Sequence, residues 1–121
     1  DMIEGSVAVL VDHIHAHPGQ YRFIAREQYS AVLSVRLAIR RELRLFATEL
    51  ATDLARLPVI TTWTTADLVM LAELIVGLMV DTSKRLLDVI DEAPEREPDL
   101  VADTERRLRF LTIGATAWKP R

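Results

Sequence analysis

The chain has 121 residues and a mass of 13.7 kDa; half of its residues are hydrophobic, and 18 acids against 15 bases give a net charge of −3. A single domain over residues 1–121 is expected, because domains cluster at roughly 100–150 residues and so apolar a composition excludes a disordered chain. Without cysteine there is no disulfide, thiolate metal site or cysteine nucleophile; no apolar run reaches the ~18 residues of a membrane span and no basic-then-apolar leader opens the chain, so a soluble, cytoplasmic protein is expected.

Few glycines, prolines and aromatics among many Ala, Leu, Arg and Glu favour helices throughout. Residues 2–16 carry Ile3, Val7, Leu10 and Ile14 at spacings of four, three and four, one stripe of a helix. Pro18 ends that helix and suits the first position of a short second one over 18–29, with Tyr21 and Ile24 on one side and Phe23 beside them. The third segment repeats Val35, Ile39, Leu43, Phe46, Leu50, Leu54 and Leu57 at steps of three and four, one apolar stripe in register for over six turns. Alternation by two, the mark of a strand, is absent. Pro58 stops the helix, and a turn is expected over 59–63.

Thr64-Thr65-Ala66-Asp67 reads as an N-terminal cap followed by an acid. Residues 68–80 then hold only one charge, Glu73, before the pattern turns more amphipathic through Leu86, Leu87 and Ile90. A helix apolar on all sides must be covered on all sides. One layer of neighbours in so small a domain covers about half its circumference, so a partner chain or a ligand is expected on the rest. Residues 93–98 form a linker with prolines at both ends of its core, and Pro98 can open the last helix. There Val101, Leu108, Leu111, Ala115 and Trp118 recur as the narrow seam of helix-on-helix packing. The fold class is all-α, with the last two helices as an interface pair.

Charge is uneven along the chain. Residues 20–44 hold six arginines against two glutamates, a local +4, whereas 88–105 hold eight acids and one arginine, −7. Residues 106–121 have five bases and no acid. Solvated helix faces account for most of this, and an anion site near the early arginines is the sharper reading. A nucleic-acid surface is disfavoured by the pI near 5.6, and every helix already commits an apolar stripe to packing.

His13 and His17 share a helix face at i, i+4, a spacing able to bind zinc, while His15 points away. No carboxylate or further ligand is placed near them, so helix-end histidines without a metal are expected. Glu73 stands out inside its apolar run; a structural ion pair with an arginine of the third helix, or exposure through a cavity, is favoured over a general base. No glycine-rich phosphate loop, nucleophile elbow or Glu-x-x-His pair is present. No cofactor and no enzymatic activity are expected.

Pro18-x-x-Tyr21-Arg22, Arg26-Glu27, Arg36, Arg41-Glu42-Leu43, Phe46 and Glu49-Leu50-Ala51 resemble the C-terminal domain of TetR-family transcriptional regulators. They are most similar to the branch containing the FabR and DesT repressors of unsaturated fatty-acid genes. Arg109-Phe110-Leu111-Thr112-Ile113-Gly114-Ala115, followed by Trp118, is similar to that branch's last helix, so the resemblance spans essentially the whole chain. The family's N-terminal helix-turn-helix has no counterpart here. An isolated fragment of a regulator is therefore expected, one that reaches DNA only through the missing domain.

The resemblance implies a five-helix effector-binding domain whose last two long helices pair with a second copy in an intersubunit four-helix bundle. The homodimer contacts would come from Leu78, Val101, Leu108, Leu111, Ala115 and Trp118. It further implies an apolar effector site between the second, third and fourth helices, with a long-chain fatty acyl thioester on coenzyme A or acyl carrier protein as ligand. Candidate lining residues are Phe23, Phe46, Leu50, Trp63, Met70, Leu71 and Leu74, since aromatic walls and thioethers suit a flexible alkyl chain. Arg22 or Arg26 would orient the polar end, although pairing of Arg26 with Glu27 or Glu42 competes. Two rival readings stay open. A bare dimerisation module would lack the cavity, and a helical-bundle enzyme would need a polar constellation converging on it, such as Glu73 with a histidine.

Overall fold

The computed structural model describes residues 1–60 and 62–119. Thr61, within the expected turn at 59–63, and Arg121, the last of the C-terminal bases, lie outside the described residues. Five α-helices account for the fold, and among the described residues there is no strand.

Helix α1 (Met2–Ala16) starts where the Asp1 carboxylate accepts from the Glu4 backbone N–H at 2.8 Å, satisfying one of the orphan donors of its first turn. It stops at His17 because Pro18 opens α2 (Pro18–Glu27), where the missing proline N–H costs nothing. The connection to α3 (Leu33–Leu54) is held by Ser30: its hydroxyl accepts from Val32 N–H at 3.1 Å and its carbonyl accepts from the Arg36 guanidinium at 2.8 Å. After a 3₁₀ turn at Pro58–Ile60, the Thr64 hydroxyl caps α4 (Thr65–Glu92), accepting from Asp67 N–H at 3.2 Å. A second 3₁₀ turn at Pro94–Arg96 leads into α5 (Glu97–Ala117). Helix α5 thus begins one residue before Pro98, which sits in its first turn. No helix among the described residues is long and apolar enough to cross a membrane.

Two apolar clusters share α4. Its C-terminal half supplies Leu86 and Leu87 to a core built on Val7, Leu10, Val11 and Ile14 of α1, with Val101 and Leu108 of α5 packed against it. Its N-terminal half supplies Ala72 and Val76 to a second cluster with Ala47 and Ala51 of α3, flanked by Leu43, Leu50 and Leu54. The short connection over 55–64 makes α3 and α4 antiparallel neighbours, and theirs is the most extensive contact in the molecule. The seam is made of small side chains, which let two helix backbones approach closely before side chains collide.

That seam corrects the stripe expected on α3. Phe46 was its middle member, but Phe46 is exposed and Ala47 is buried in its place. One residue along a helix is a rotation of about 100°; a phenyl ring does not fit between α3 and α4, so the register turns to place alanine inside. Leu57 falls beyond the end of α3 and is exposed as well.

The apolar run of α4 is covered on one side only. Leu71, Ala72 and Val76 are buried, whereas Met70, Glu73, Leu74 and Gly77 are exposed, with Leu74 half uncovered. On α5 the inner face (Val101, Thr104, Leu108, Leu111 and Ala115) is turned to the protomer, while Phe110 is 79% and Ile113 62% exposed. Large apolar side chains so exposed at helical spacing are the kind of surface that association covers.

Three buried hydroxyls sit in this apolar interior. Thr104 donates to the Leu100 carbonyl at 2.9 Å and Ser83 to the Val80 carbonyl at 2.7 Å. The Thr82 hydroxyl, fully buried, has no partner among the described residues. An unmade hydrogen bond of this kind costs about 1–3 kcal/mol. Thr82→Val, which keeps the shape and removes the hydroxyl, is expected to stabilise the fold by about 1 kcal/mol, read as a raised denaturation midpoint. Ala72→Leu, by contrast, overfills the α3–α4 seam and is expected to destabilise by about 1–3 kcal/mol.

Candidate functional site

An open groove of about 420 Å³ runs between α3 and α4, with Gln28 and Tyr29, just after α2, also lining it. Its volume lies within the ~300–1,000 Å³ typical of small-molecule sites. Leu43, Ala47, Val76, Gly77 and Val80 form an apolar floor, and the rim carries Arg40, Arg44, Lys84, Glu73 and Asp81. Gly77 leaves the floor open: nothing lies within 4 Å of where a Cβ would stand. A second hollow of about 390 Å³, on the outer face of α3, is lined by Ser34, Leu37, Ala38, Arg40, Arg41 and Arg44.

None of the nine candidate ligand residues expected from sequence lines this groove. Phe23, Phe46, Met70 and Leu74 are exposed, Leu50 and Trp63 half-buried, and Leu71 buried. Leu50 packs against the α3–α4 seam. The guanidinium of Arg22 makes two bonds to the Asp91 carboxylate, at 2.7 and 3.0 Å, tying α2 to α4. Arg26 donates to Glu27 at 3.0 Å. Both charges are already matched within the fold.

The residues that do line the groove gave a weaker sequence signal. Arg40 and Arg44 are one turn apart and hence on one face of α3, which the six-arginine cluster hinted at without selecting them. Small and β-branched floor residues such as Ala47, Val76 and Val80 carry no chemical label. Glu73 could be singled out, and it does face the groove in an exposed position, without an ion pair or side-chain hydrogen bond among the described residues. No histidine joins it there.

The histidines lie elsewhere. The His13 and His17 rings are 4.6 Å apart, His13 Nδ1 lies 2.6 Å from the Tyr21 hydroxyl, and no group of three or more His, Cys, Asp or Glu able to hold a metal forms among the described residues. His15 faces the other way, as its spacing requires, and its Nε2 lies 2.7 Å from Glu97 Oε1, joining α1 to the start of α5. Burial of Tyr21 raises its hydroxyl pKa above the ordinary value.

Of the six residues expected at a dimer contact, Val101 and Leu108 pack on the protomer's own core, and Leu78, Leu111 and Ala115 are half-buried. Trp118 is exposed. The outward apolar side chains of α5 that the seam pattern did not select are Phe110 and Ile113. The α4–α5 pair is stitched together by charge: Asp103 accepts from Arg107 at 2.8 Å and from Arg85 at 3.2 Å, with Asp81 near both arginines.

A domain of five helices, with no strand among the described residues and with an open groove beside the third and fourth helices, has a counterpart among known families. The family model described as "Tetracyclin repressor-like, C-terminal domain" matches residues 1–111, and the chain belongs to that family. Domains of this family are regulatory, generally dimerising and binding small-molecule effectors. No curated protein matches the chain.

Acid should loosen this architecture at two identifiable points. The hydrogen bond and charge of Arg22 hold the Asp91 carboxyl below its ordinary pKa against some desolvation. Desolvation pushes Asp103 upward, but its bonds to Arg107 and Arg85 outweigh it and leave the carboxyl below its ordinary value. A carboxyl depressed in the folded state lends stability that is present above its unfolded pKa of about 4 and is lost as pH falls through the lower folded value. The melting temperature is therefore expected to be flat above about pH 5 and to fall below about pH 4. In a thermal series, Asp91→Asn should flatten part of that acid limb while lowering stability at neutral pH.

Proposed function

We propose that this chain is the effector-binding and dimerisation domain of a TetR-like transcriptional regulator whose ligand is a long-chain fatty acyl group, carried on coenzyme A or acyl carrier protein. On this reading it acts in the cytoplasm, in the control of lipid-metabolism genes. The resemblance of residues 18–51 and 109–118 to the FabR/DesT branch points to that effector. The single observation carrying a ligand at all is the groove where α2, α3 and α4 meet, with Gly77 among its lining residues. Its apolar floor suits an alkyl chain, since each buried methylene contributes about 0.8 kcal/mol and no specific polar contact is needed for affinity. Phe23, Phe46, Leu50, Trp63, Met70, Leu71 and Leu74 remain the proposed apolar surroundings, with closure over an open groove supplied when ligand or partner binds. Arg22 and Arg26, already paired, are the less favoured anchors for its polar end.

The second proposed property is a homodimer across α4 and α5, through Leu78, Leu111, Ala115 and Trp118 with the exposed Phe110 and Ile113, while Val101 and Leu108 support that face from the protomer's own core. A twofold axis lets one such patch cover its own copy. Ligand would act by population shift, favouring one packing of α3 against α4 and so one dimer geometry, by no more than its differential affinity. DNA would be reached only through a reading domain outside this chain.

Two measurements test the reading. Mass spectrometry of organic extracts of the purified protein should find fatty acid or fatty acyl ester, and Gly77→Leu, which improves helix propensity while filling the groove, should lose it and remain folded. Equal lipid content in the two proteins would remove the groove from the site. Solution mass should be that of a dimer, and Phe110→Asp with Ile113→Asp should give a folded monomer; a wild-type monomer at micromolar concentration would sink the interface.

A further inference from the structure

The early arginine cluster divides into two halves. Arg22, Arg26 and Arg36 are engaged by Asp91, Glu27 and the Ser30 carbonyl. Arg40, Arg41 and Arg44 make no ion pair or side-chain hydrogen bond among the described residues, although Glu42 and Glu49 lie on the same helix. Like charges one helical turn apart repel, so Arg40 and Arg44 on one face of α3 are an uncompensated pair. Both border the groove, and Lys84 faces them from α4, also without a partner.

The acids of the groove offset this end only in part, one of them, Asp81, against three bases. Asp81 lies 3.8 Å from Arg85 and 3.9 Å from Arg107, and so belongs to the α4–α5 charge network. Glu73 is eleven residues from Lys84 on α4, about 16 Å along the axis, beyond the ~10 Å over which exposed charges act in ordinary salt. In an antiparallel pair the Lys84 end of α4 meets the Arg40 end of α3, so the groove is bipolar. One end is basic, the other holds Glu73, and an apolar floor joins them.

We propose that Arg40 and Arg44, with Lys84 opposite, bind the anionic group of an amphipathic ligand, a carboxylate or a phosphate ester, whose apolar body lies along Leu43, Val76 and Val80. This deepens the effector reading above and rests on it for the apolar body alone. Arginine is suited to the task because its planar fork meets two oxygens of either anion at once, whereas Lys84 supplies a point charge. The site differs from the one sequence indicated: the arginines nearest the start of the cluster hold the fold together, and those one to two turns further on are free to meet a ligand.

Calorimetric titration of the full chain distinguishes the parts. The probes are palmitate, hexadecyl phosphate, the uncharged hexadecanol, and inorganic phosphate alone. Both anionic amphiphiles should bind, more weakly as salt rises. Arg40→Gln with Arg44→Gln should weaken each by at least about tenfold, the scale of lost charge-assisted bonds, and leave hexadecanol unchanged. Arg40→Lys with Arg44→Lys should recover part of the loss, and Arg106→Gln, an unpaired arginine of α5, should have no effect; circular dichroism confirms that each variant is folded. Palmitate and hexadecyl phosphate binding the glutamine variant as tightly as wild type would overturn the anion site while leaving an alkyl site in place. Arginine-dependent binding of inorganic phosphate, with none of the long-chain probes bound, would support the anion site and overturn the acyl reading. No binding by any probe would overturn both.

Discussion

Close packing of α3 on α4 is the constraint from which the remaining features follow. Ala47, Ala51 and Ala72 bring the two backbones together, and Val76 completes the seam. A seam of small side chains buries little apolar area per residue, so it cannot also enclose the larger side chains on either side of it. Phe46, Met70 and Leu74 are left at the surface, and the space beside the seam, floored by Leu43, Val76 and Gly77, stays open as a groove. The tight contact and the cavity are thus two results of one choice of side-chain size.

Among the described residues, helix α4 is the element that has a share in both apolar clusters. Its first half meets α3 at the groove, and its second half meets α1 and α5. Arg85 and Arg107 clasp Asp103, while Arg22 holds Asp91, so the second half is fixed by charge as well as by packing. These are exposed or partly exposed pairs, worth little individually; Arg85–Asp103 and Arg22–Asp91 act on this end of α4, whereas Arg107–Asp103 lies within α5. On the proposed effector reading, a ligand in the groove would act on the loosely covered first half of α4 against this better-anchored second half. In a regulatory domain of the tetracycline-repressor kind, that is the coupling a two-state switch requires.

Much of the helix layout was legible in the sequence. Pro18 and the Thr64 cap fall where helices begin, since a proline ring and a capping hydroxyl act locally and need no tertiary partner, whereas α3 ends at Leu54, before Pro58, which opens a 3₁₀ turn. The same holds for His15 turning away from His13 and His17, which follows from helix geometry alone. The stripe on α3 was less faithful. Alanine gives almost no hydrophobic signal, so the pattern of large apolar residues selected Phe46 while packing buried Ala47.

The candidate site was the least legible part for a related reason. Which arginine is free depends on which one finds an acid, and Arg22 meets Asp91 across 69 positions of chain, an encounter that only the folded arrangement of α2 on α4 produces. Likewise Val101 and Leu108 have the spacing of an interface seam, but spacing does not say whose surface they face; α1 came to lie against them first. Sequence by itself determined the all-α class, the five helices and most of their starts, because those are governed by short-range periodicity and capping. Tertiary structure alone decided which charges are neutralised, which apolar faces stay uncovered and where the groove opens, because each of these depends on side chains brought together from distant positions.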